Sequence, residues 1–299
     1  MKILITGASG LVGKQLIPSL LDLGYDLVII SRTSNKRLPG INNIFSWQQL
    51  QSFPEEIIKD VDIIIHLAGA SIAQGRWTKA RKRKIINSRV QTAQLLFDAV
   101  TTSNINLKLY ISASAVGYYP YSNTHLFTED DKMGTGFLSD VCNMWELSAT
   151  NFKNKETRTV VMRLGSILSK DGGMLKPIIK AINLGLGAKM GNGKQYIPWV
   201  SINDVVRFVL FAIENKSIDG TYNVVAPQII DNKTLILSLK KALHKKSLIP
   251  FIPKILIKLL FGKKSELLLK GQKVSSQKII SNRFTFIYPN LNIALEHLL

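Results

Sequence analysis

Short apolar runs of strand length alternate with longer amphipathic stretches through more than half of the chain. In the longest of these stretches, 77–100, apolar side chains recur at helical spacing, as Ile86 and Val90 show. This alternation predicts an α/β fold in which a doubly wound parallel sheet carries helices on both faces. We expect strands at 2–6, 27–30, 62–67, 107–112, 159–164 and 221–225, and helices at 77–100, 136–152 and 203–215.

The alternation stops near residue 169, where paired glycines begin to interrupt the chain. The segment that follows is rich in loops, and the chain after Pro227 again has a helical period. These changes indicate a second, smaller region that is folded differently from the sheet. We expect a sheet domain formed by 1–168, to which 200–226 return, and a smaller C-terminal lobe formed by 169–199 and 227–299.

The clearest chemical signal is a glycine-rich turn between the first predicted strand and the first predicted helix. Gly7, Gly10 and Gly13 form a G-x-x-G-x-x-G pattern at this position. In this pattern the first glycine permits a tight turn, the second admits a pyrophosphate, and the third lets the helix pack closely. Free N–H groups and the positive end of the helix dipole then face the phosphates. The order of strand, glycine loop and helix favours a Rossmann-type dinucleotide site over a turn without a ligand.

The residues after the second predicted strand indicate which dinucleotide is preferred. An NAD-specific site usually places Asp or Glu here to bind the ribose 2′-OH, yet no carboxylate follows until Glu55. Ser31 and Arg32 stand here instead, with Lys36 and Arg37 close by. A guanidinium suits the 2′-phosphate of NADP(H) through charge-assisted, bidentate hydrogen bonds. We therefore predict NADP(H), with a solvated Arg32 as the alternative.

Composition limits the remaining classes of function. A chain of 299 residues suits one large α/β domain, or one domain and a smaller lobe. Cys142 is the only cysteine, so no intramolecular disulfide can form, which is typical of a reducing compartment. No apolar run reaches the ~18 residues of a membrane-spanning helix. The first predicted strand begins at residue 2, so we expect no signal peptide. We therefore expect a cytoplasmic protein. The four histidines are scattered, which argues against a metal site.

The formal net charge of +19 raises nucleic acid, an anionic membrane surface and acidic small molecules as partners. Lys and Arg are spread through nearly every segment, with concentrations at 76–84 and 245–278. Neither concentration interleaves aromatic residues in the manner of a base-stacking platform. Solvated helix faces explain most of these charges, so we expect a small-molecule substrate rather than nucleic acid.

Several segments together carry a resemblance to a known family. They are the glycine loop, Ile65 to Gly69 and Ser112 to Tyr119, joined by 75–78, 87–90, 184–187, 191–195, 259–262, 271–274 and 284–286. With them the chain resembles an atypical, epimerase-like member of the extended short-chain dehydrogenases/reductases, with a C-terminal domain of unknown function. The resemblance implies a Rossmann-type sheet, a smaller lobe that binds the substrate, and cofactor contacts at the strand ends. The expected cofactor contacts are Gly7, Ser9, Gly10, Leu11, Val12, Gly13, Ser31, Arg32, Leu67, Ala68, Gly69, Arg89 and Ile167.

The usual chemistry of that superfamily needs a serine and a Tyr-x-x-x-Lys step on a helix, and only the serine is present. Ser114 fits the serine position. When the helix is registered on Glu146, Leu138 stands where the tyrosine belongs and Cys142 where the lysine belongs. Arg89 stands where an asparagine is usual. The resemblance implies the same departures in the atypical subgroup, so they do not indicate a damaged enzyme.

Other groups could substitute for the missing pair. Tyr118 or Tyr119, just after the Ser114 strand, could bring a phenol to the same cleft, and we take Ser114 and Tyr118 as the catalytic candidates. Arg89 could hold the cofactor, while Cys142 is either a buried helix residue or a thiol activated by a cation. We expect an NADP(H)-binding, epimerase-like oxidoreductase with an unidentified substrate. The alternatives are a catalytically silent NADP(H) sensor and a binder of nucleic acid or anionic surfaces.

Overall fold

Fourteen strands and twelve α-helices make up the described part of the protein, for which a computed structural model covers residues 1–35, 38–154 and 156–299. The strands are β1 (Lys2–Thr6), β2 (Asp26–Ser31), β3 (Asn43–Ser46), β4 (Val61–His66), β5 (Leu109–Ala115), β6 (Ser122–Phe127), β7 (Arg158–Leu164), β8 (Ser166–Ser169), β9 (Gly172–Gly173), β10 (Lys189–Met190), β11 (Trp199–Ser201), β12 (Gly220–Val224), β13 (Phe251–Ile252) and β14 (Gln272–Val274). The helices are α1 (Leu11–Asp22), α2 (Trp47–Ser52), α3 (Pro54–Ile57), α4 (Lys79–Thr102), α5 (Phe137–Thr150), α6 (Leu175–Asn183), α7 (Ile202–Glu214), α8 (Asn232–Ala242), α9 (Lys254–Phe261), α10 (Glu266–Leu269), α11 (Gln277–Ser281) and α12 (Leu291–Leu298).

Seven strands form the central sheet in the order β3-β2-β1-β4-β5-β7-β12, and every neighbouring pair is parallel. The order reverses between β1 and β4. In open sheets of this kind, ligands bind outside the carboxyl ends of the strands at the point of reversal. The predicted doubly wound, Rossmann-type parallel sheet is confirmed.

The strands of the sheet are mostly apolar because both faces of the sheet are covered by helices. In β1, Ile3 and Ile5 face one core while Leu4 faces the other, and all three are fully buried. The first core contains residues of α1 and α7, and the second contains residues of α2, α4 and α5. The two-residue repeat of a strand therefore divides each apolar run between two helical layers.

A separate apolar core lies beside the sheet and is built from α6, α8, α12 and Trp199 of β11. The segment 277–286 does not join it. Phe284 instead packs edge-on against Phe208 of α7 at a centroid distance of 5.5 Å, and Ile279 and Phe286 lie in the same core of the sheet. The C-terminal region thus contributes to the sheet core that contains α1 and α7 and also to the separate core built from α6, α8 and α12. The boundaries expected for a smaller lobe stay a prediction.

Helix α4 begins two residues later than the sequence pattern predicts. Thr78 is its N-cap and accepts a hydrogen bond from the N–H of Arg81 at 3.2 Å, which fixes the start of the helix. The Trp77 side chain lies outside the helix and donates to the Ile72 carbonyl at 2.9 Å. Across the ranges given above, we find no helix with the length and apolar character needed to cross a bilayer.

Candidate functional site

The glycine loop between β1 and α1 is held by two close backbone approaches. Gly7 has φ +76°, and a Cβ placed on it would lie 2.6 Å from the backbone of Leu67, just beyond β4. A Cβ on Gly13 would lie 2.6 Å from the Gly7 carbonyl oxygen and 2.7 Å from the Ala8 Cα. Gly7 therefore makes the predicted tight turn, while the close approach at Gly13 is to the loop itself.

Gly10 differs from the other two glycines because its missing side chain leaves space. A Cβ there would meet only the Gly7 carbonyl oxygen within 4 Å, at 3.1 Å. Gly10 is also the N-cap of α1 and provides no side-chain hydrogen bond to the first turn. Uncapped amides at a helix start, together with the helix dipole, bind phosphate groups. The loop has the shape and polarity that a dinucleotide pyrophosphate needs.

The end of β4 lies against this loop. The N–H of Leu67 donates to the Thr6 carbonyl at 3.2 Å, and the N–H of Ala68 donates to the Thr6 hydroxyl at 3.2 Å. On the other side, Leu11, Val12 and Ile167 pack at the edge of the core built from α6, α8 and α12. The end of β4 thus lies on one side of the loop, and the edge of this core on the other. Contact of these five residues with a cofactor stays a prediction.

Arg89 is a buried guanidinium beside the end of β4, with only 8% of its surface exposed. Its Nη1 donates to the carbonyls of Ala70 and Ile85 at 3.1 and 2.9 Å, while its buried Nε has no partner among the described residues. A Cβ on Gly69 would lie 3.0 Å from the guanidinium carbon. Burial lowers the pKa of Arg89. A buried cation with an unpaired N–H fits a polar or anionic ligand at this strand end.

The segment after β2 places Ser31 and Arg32 at the neighbouring strand end. Ser31 Oγ donates to the Thr33 carbonyl at 2.5 Å and accepts from the Thr33 N–H at 3.3 Å, which closes a local turn. The Arg32 side chain is exposed and makes no ion pair with a described residue. Lys36 and Arg37 lie outside the described residues.

Ser114 is part of a buried polar network that joins β5, α5 and β7. Its hydroxyl donates to Glu146 Oε1 at 2.6 Å. Arg163 holds the same carboxylate with two hydrogen bonds, Nε to Oε1 at 2.9 Å and Nη2 to Oε2 at 2.8 Å. Burial alone would lower the pKa of Arg163, but its bonds to Glu146 and Tyr119 outweigh burial and raise it. Because the Ser114 proton is committed to Glu146, the oxygen lone pairs are the part of this hydroxyl left for a ligand.

The two tyrosines after β5 have different environments. The Tyr119 hydroxyl accepts from Arg163 Nη1 and donates to Asn223 Oδ1, both at 2.7 Å, and burial raises the pKa of Tyr119 to about 12. The ring of Tyr118 lies over the Arg163 guanidinium at 3.6 Å, and its hydroxyl makes no hydrogen bond to any described residue. Tyr119 therefore belongs to the buried network, and Tyr118 is the phenol whose hydroxyl is available.

Leu138 and Cys142 face the segment that follows Ser114. A Cβ on Gly117 would lie 3.6 Å from the Leu138 Cβ and 3.8 Å from the Cys142 Sγ. That the two residues occupy the positions of the usual tyrosine and lysine stays a prediction. Burial, followed by the charge of Glu146, raises the pKa of Cys142 to about 12. The thiol stays protonated, which disfavours its use as a nucleophile.

His66 is a buried core residue whose two ring nitrogens both have partners. Its Nδ1 and Nε2 lie 3.0 Å from the hydroxyls of Tyr110 and Thr92, respectively. Complete burial, with the charge of Arg89 as a second cause, lowers the pKa of His66 to about 3. Among the residues with described coordinates, no three His, Cys, Asp or Glu side chains are grouped so as to hold a metal ion.

The low pKa of His66 predicts that the protein loses stability in mild acid. Between about pH 6.5 and about pH 3 the unfolded chain binds a proton at His66 that the folded protein does not. The free energy of unfolding should therefore fall by about 1.4 kcal/mol for each pH unit lowered in this window, from this group alone. Urea unfolding of the wild type and of His66→Gln at several pH values measures the effect. We expect a shallower slope in the variant, and equal slopes would contradict the assignment.

Sequence reasoning used Glu146 to set a register but did not identify its partner, nor the role of Tyr119 with Asn223. One signal was present: Arg163 is the single charged residue in the apolar run 159–164. A charge inside a buried strand needs a partner. The partners lie 17 residues away at Glu146 and 44 residues away at Tyr119, so the pattern alone does not name them.

Comparison with known proteins gives matches along the whole chain. The model of the NAD-dependent epimerase/dehydratase family matches residues 3–225, and that of a domain of unknown function, DUF1731, matches residues 252–298. An epimerase family protein of Staphylococcus saprophyticus is 35% identical over 300 residues, covering 99% of this chain and 98% of the relative. One of Staphylococcus aureus strain MRSA252 is 34% identical over 302 residues, with the same coverage.

Solved structures with the same architecture include two that are more than a quarter identical. The human epimerase family protein SDR39U1 (isoform 2) with NADPH aligns with a TM-score of 0.91 and 28% identity, over 100% of this chain and 99% of that one. A nucleoside-diphosphate sugar epimerase from Corynebacterium glutamicum aligns with a TM-score of 0.78 and 26% identity, over 100% of this chain and 58% of that one.

Proposed function

The chain belongs to the NAD-dependent epimerase/dehydratase family, and from that premise we propose that it is an NADP(H)-binding, epimerase-like oxidoreductase. The observation that carries the proposal is Arg89, a buried guanidinium with an unpaired Nε beside Gly69. Leaving such a group without a ligand costs free energy that a bound anion or polar group recovers. The human relative described above was crystallised with NADPH, which supports a nicotinamide cofactor.

The residues around the glycine loop are suited to hold the two halves of the cofactor. The α1 amides and the open side of Gly10 would receive the pyrophosphate, and Gly7 and Gly13 keep the loop in place. Arg89 would contact the nicotinamide-side ribose or its phosphate. Ser31 and Arg32 would meet the adenosine ribose at the end of β2.

We propose NADP(H) rather than NAD(H) because the end of β2 carries a cation and no carboxylate. Arg32 is exposed and has no described ion-pair partner, so its donors are available to a 2′-phosphate. In an NAD site, an acidic residue would accept hydrogen bonds from the 2′-OH. The absence of a carboxylate as far as Glu55 removes that option for this strand end.

Arg32→Ala should weaken NADPH binding and leave NADH binding almost unchanged. We expect a loss of about 1.5–3 kcal/mol for NADPH, the range for hydrogen bonds to a charged group. Fluorescence titration of the wild type and the variant with both nucleotides measures the difference. Arg83→Ala, which removes an exposed arginine from α4, is the matched control for loss of positive charge. Equal affinity of the wild type for NADPH and NADH would exclude this role of Arg32.

A bound nicotinamide supplies or accepts a hydride, and the chain has to orient the substrate and move a proton. Ser114 Oγ donates to Glu146, so it is placed to accept a hydrogen bond from a substrate hydroxyl. The hydroxyl of Tyr118 has no described partner and is the proton-transferring group that the site offers. A small pocket lined by Pro198, Val225 and Gln272 lies just beyond the end of β12.

Turnover and cofactor binding should respond differently to substitution in this site. On a panel of carbonyl compounds and nucleotide sugars, Tyr118→Phe should lose roughly a hundredfold or more in rate, the usual contribution of a positioned acid or base. It should keep its NADPH affinity, and Cys142→Ala should keep both. A protein that binds NADPH and turns over nothing on the panel would be a sensor. A Cys142→Ala variant that binds NADPH but is inactive would place the chemistry on the thiol.

A further inference from the structure

Helix α9 exposes the apolar stripe that an amphipathic helix usually buries. Ile255 and Leu259, and Leu256 and Leu260, stand four residues apart and are all exposed, Leu259 at 77%. Ile257, on the other side of the helix, is the residue that packs inward, with 2% exposed. Ile257 is the one buried residue of the helix, which presents four large aliphatic side chains to solvent.

The segment leading into α9 extends this apolar surface. Leu248 is 88% exposed, and its N–H donates to the Gly185 carbonyl at 3.0 Å, which fixes its position. Phe251, also exposed, begins β13, which pairs with β10 immediately before the helix. We call Leu248, Phe251, Ile255, Leu256, Leu259 and Leu260 the apolar patch. Six large apolar side chains exposed within residues 248–260 are more than the singly scattered hydrophobic residues of an ordinary surface, and they indicate an interaction site.

Lysines flank the apolar patch along the chain and also lie within it, and no acidic residue lies among them. Lys245 and Lys246 precede the patch, Lys258 lies within α9, and Lys263 follows it, all four exposed. The chain carries no Asp or Glu between Asp231 and Glu266. Lys264 donates to the carbonyls of Ala73 and Gly75, which ties the end of α9 to the loop ahead of the basic run 76–84.

We propose that the apolar patch docks on an anionic lipid surface. Aliphatic side chains enter the boundary between headgroups and acyl chains, while flanking lysines pair with anionic headgroups. A second copy of the chain fits poorly, because pairing two such faces would bring their lysines together without a counter-charge. Nucleic acid would match the charge but would leave four aliphatic side chains of α9 without a partner.

The test is cosedimentation of the full-length protein with phosphatidylcholine vesicles, with and without phosphatidylglycerol, at physiological and high salt. We expect binding only to the anionic vesicles, weakened by salt. The double variant Leu259→Ser, Leu260→Ser should bind about tenfold or more weakly. Leu23→Ser is its control, because Leu23 is equally a surface leucine but follows α1 at the amino-end edge of the sheet. Circular dichroism melts of each variant check folding.

A second pair of variants distinguishes the effect of lysines near the apolar patch on vesicle binding from the effect of the total charge of the protein. Removing four lysines around the apolar patch should weaken binding to anionic vesicles by at least about a hundredfold, whereas removing four exposed lysines elsewhere should have little effect. The patch variant is Lys245→Gln, Lys246→Gln, Lys258→Gln and Lys263→Gln, and the control is Lys59→Gln, Lys132→Gln, Lys153→Gln and Lys216→Gln.

Three results would overturn the proposal. They are equal losses in the two four-lysine variants, no binding of the wild type to anionic vesicles, and a dimer in sedimentation equilibrium that Leu259→Ser, Leu260→Ser converts to monomer. The last result would assign the apolar patch to a second copy. None of these measurements depends on cofactor binding, so a failure of this proposal can be distinguished from a failure of the proposed function.

Discussion

Glu146→Leu should reduce the free energy of unfolding by about 3–5 kcal/mol, because it leaves the Arg163 guanidinium buried without its carboxylate. The side chains of both residues are almost wholly buried, and two hydrogen bonds of 2.8 and 2.9 Å join them. Ser114 also loses the acceptor for its hydroxyl. Urea unfolding at neutral pH, followed by circular dichroism, measures the loss.

Two further variants separate the ion pair from a general effect of removing charge. Glu146→Leu combined with Arg163→Met should recover much of the lost stability, because neither charge then remains buried alone. Glu266→Leu removes one partner of the exposed pair Glu266 and Lys270, and we expect a change within about 0.5 kcal/mol. A Glu146→Leu protein as stable as the Glu266→Leu protein would show that the buried pair contributes little.

Gly10→Val should lose cofactor affinity and keep most of its stability, whereas Gly13→Val should lose stability, although the two positions are three residues apart. Gly10 has φ −77° and ψ 176°, which any residue adopts, and its Cβ would meet only the Gly7 carbonyl oxygen, at 3.1 Å. Gly10→Val should therefore fold with a small loss of stability. Its methyl groups would fill the approach to the α1 amides, so we expect NADPH affinity to fall by about a hundredfold or more, equivalent to ~2.7 kcal/mol.

At Gly13 the fold itself should suffer. A Cβ would lie 2.6 Å from the Gly7 carbonyl oxygen and 2.7 Å from the Ala8 Cα, and neither backbone atom can move without displacing the loop. We expect a loss of about 3 kcal/mol or more in the free energy of unfolding, at or above the upper end for overpacking. Thermal melts and NADPH titration of both variants test the contrast. Undiminished NADPH binding by a folded Gly10→Val protein would remove the loop from the site.

The sheet could be predicted from sequence because its strands are buried on both faces and read as continuous apolar runs. Predicted strand ends were less accurate where polar residues are buried. The pattern ends the run 107–112 at Ser112, whereas β5 continues to Ala115, because Ser114 finds an acceptor in Glu146. Strands as short as β9 and β10, with two residues each, carry too few positions for any period to be visible.

The glycine loop of the candidate site could be proposed from sequence because its residues are local. Gly7, Gly10 and Gly13 are close together, and their spacing encodes a turn. The network around Arg163 could not be located, because it joins residues from β5, α5, β7 and β12. The hydrogen bond between Tyr119 and Asn223 spans 104 residues, and no local pattern specifies which strand ends meet.

The packing of Phe284 against Phe208 has a consequence for how the protein folds during synthesis. The core between the central sheet and α7 includes Ile279, Phe284 and Phe286, which leave the ribosome after every strand of that sheet. Until they arrive, the nascent sheet exposes the apolar surface that they cover, and such surface favours aggregation. A truncation before α11 should therefore give an aggregation-prone product, even though it keeps all seven strands and the glycine loop.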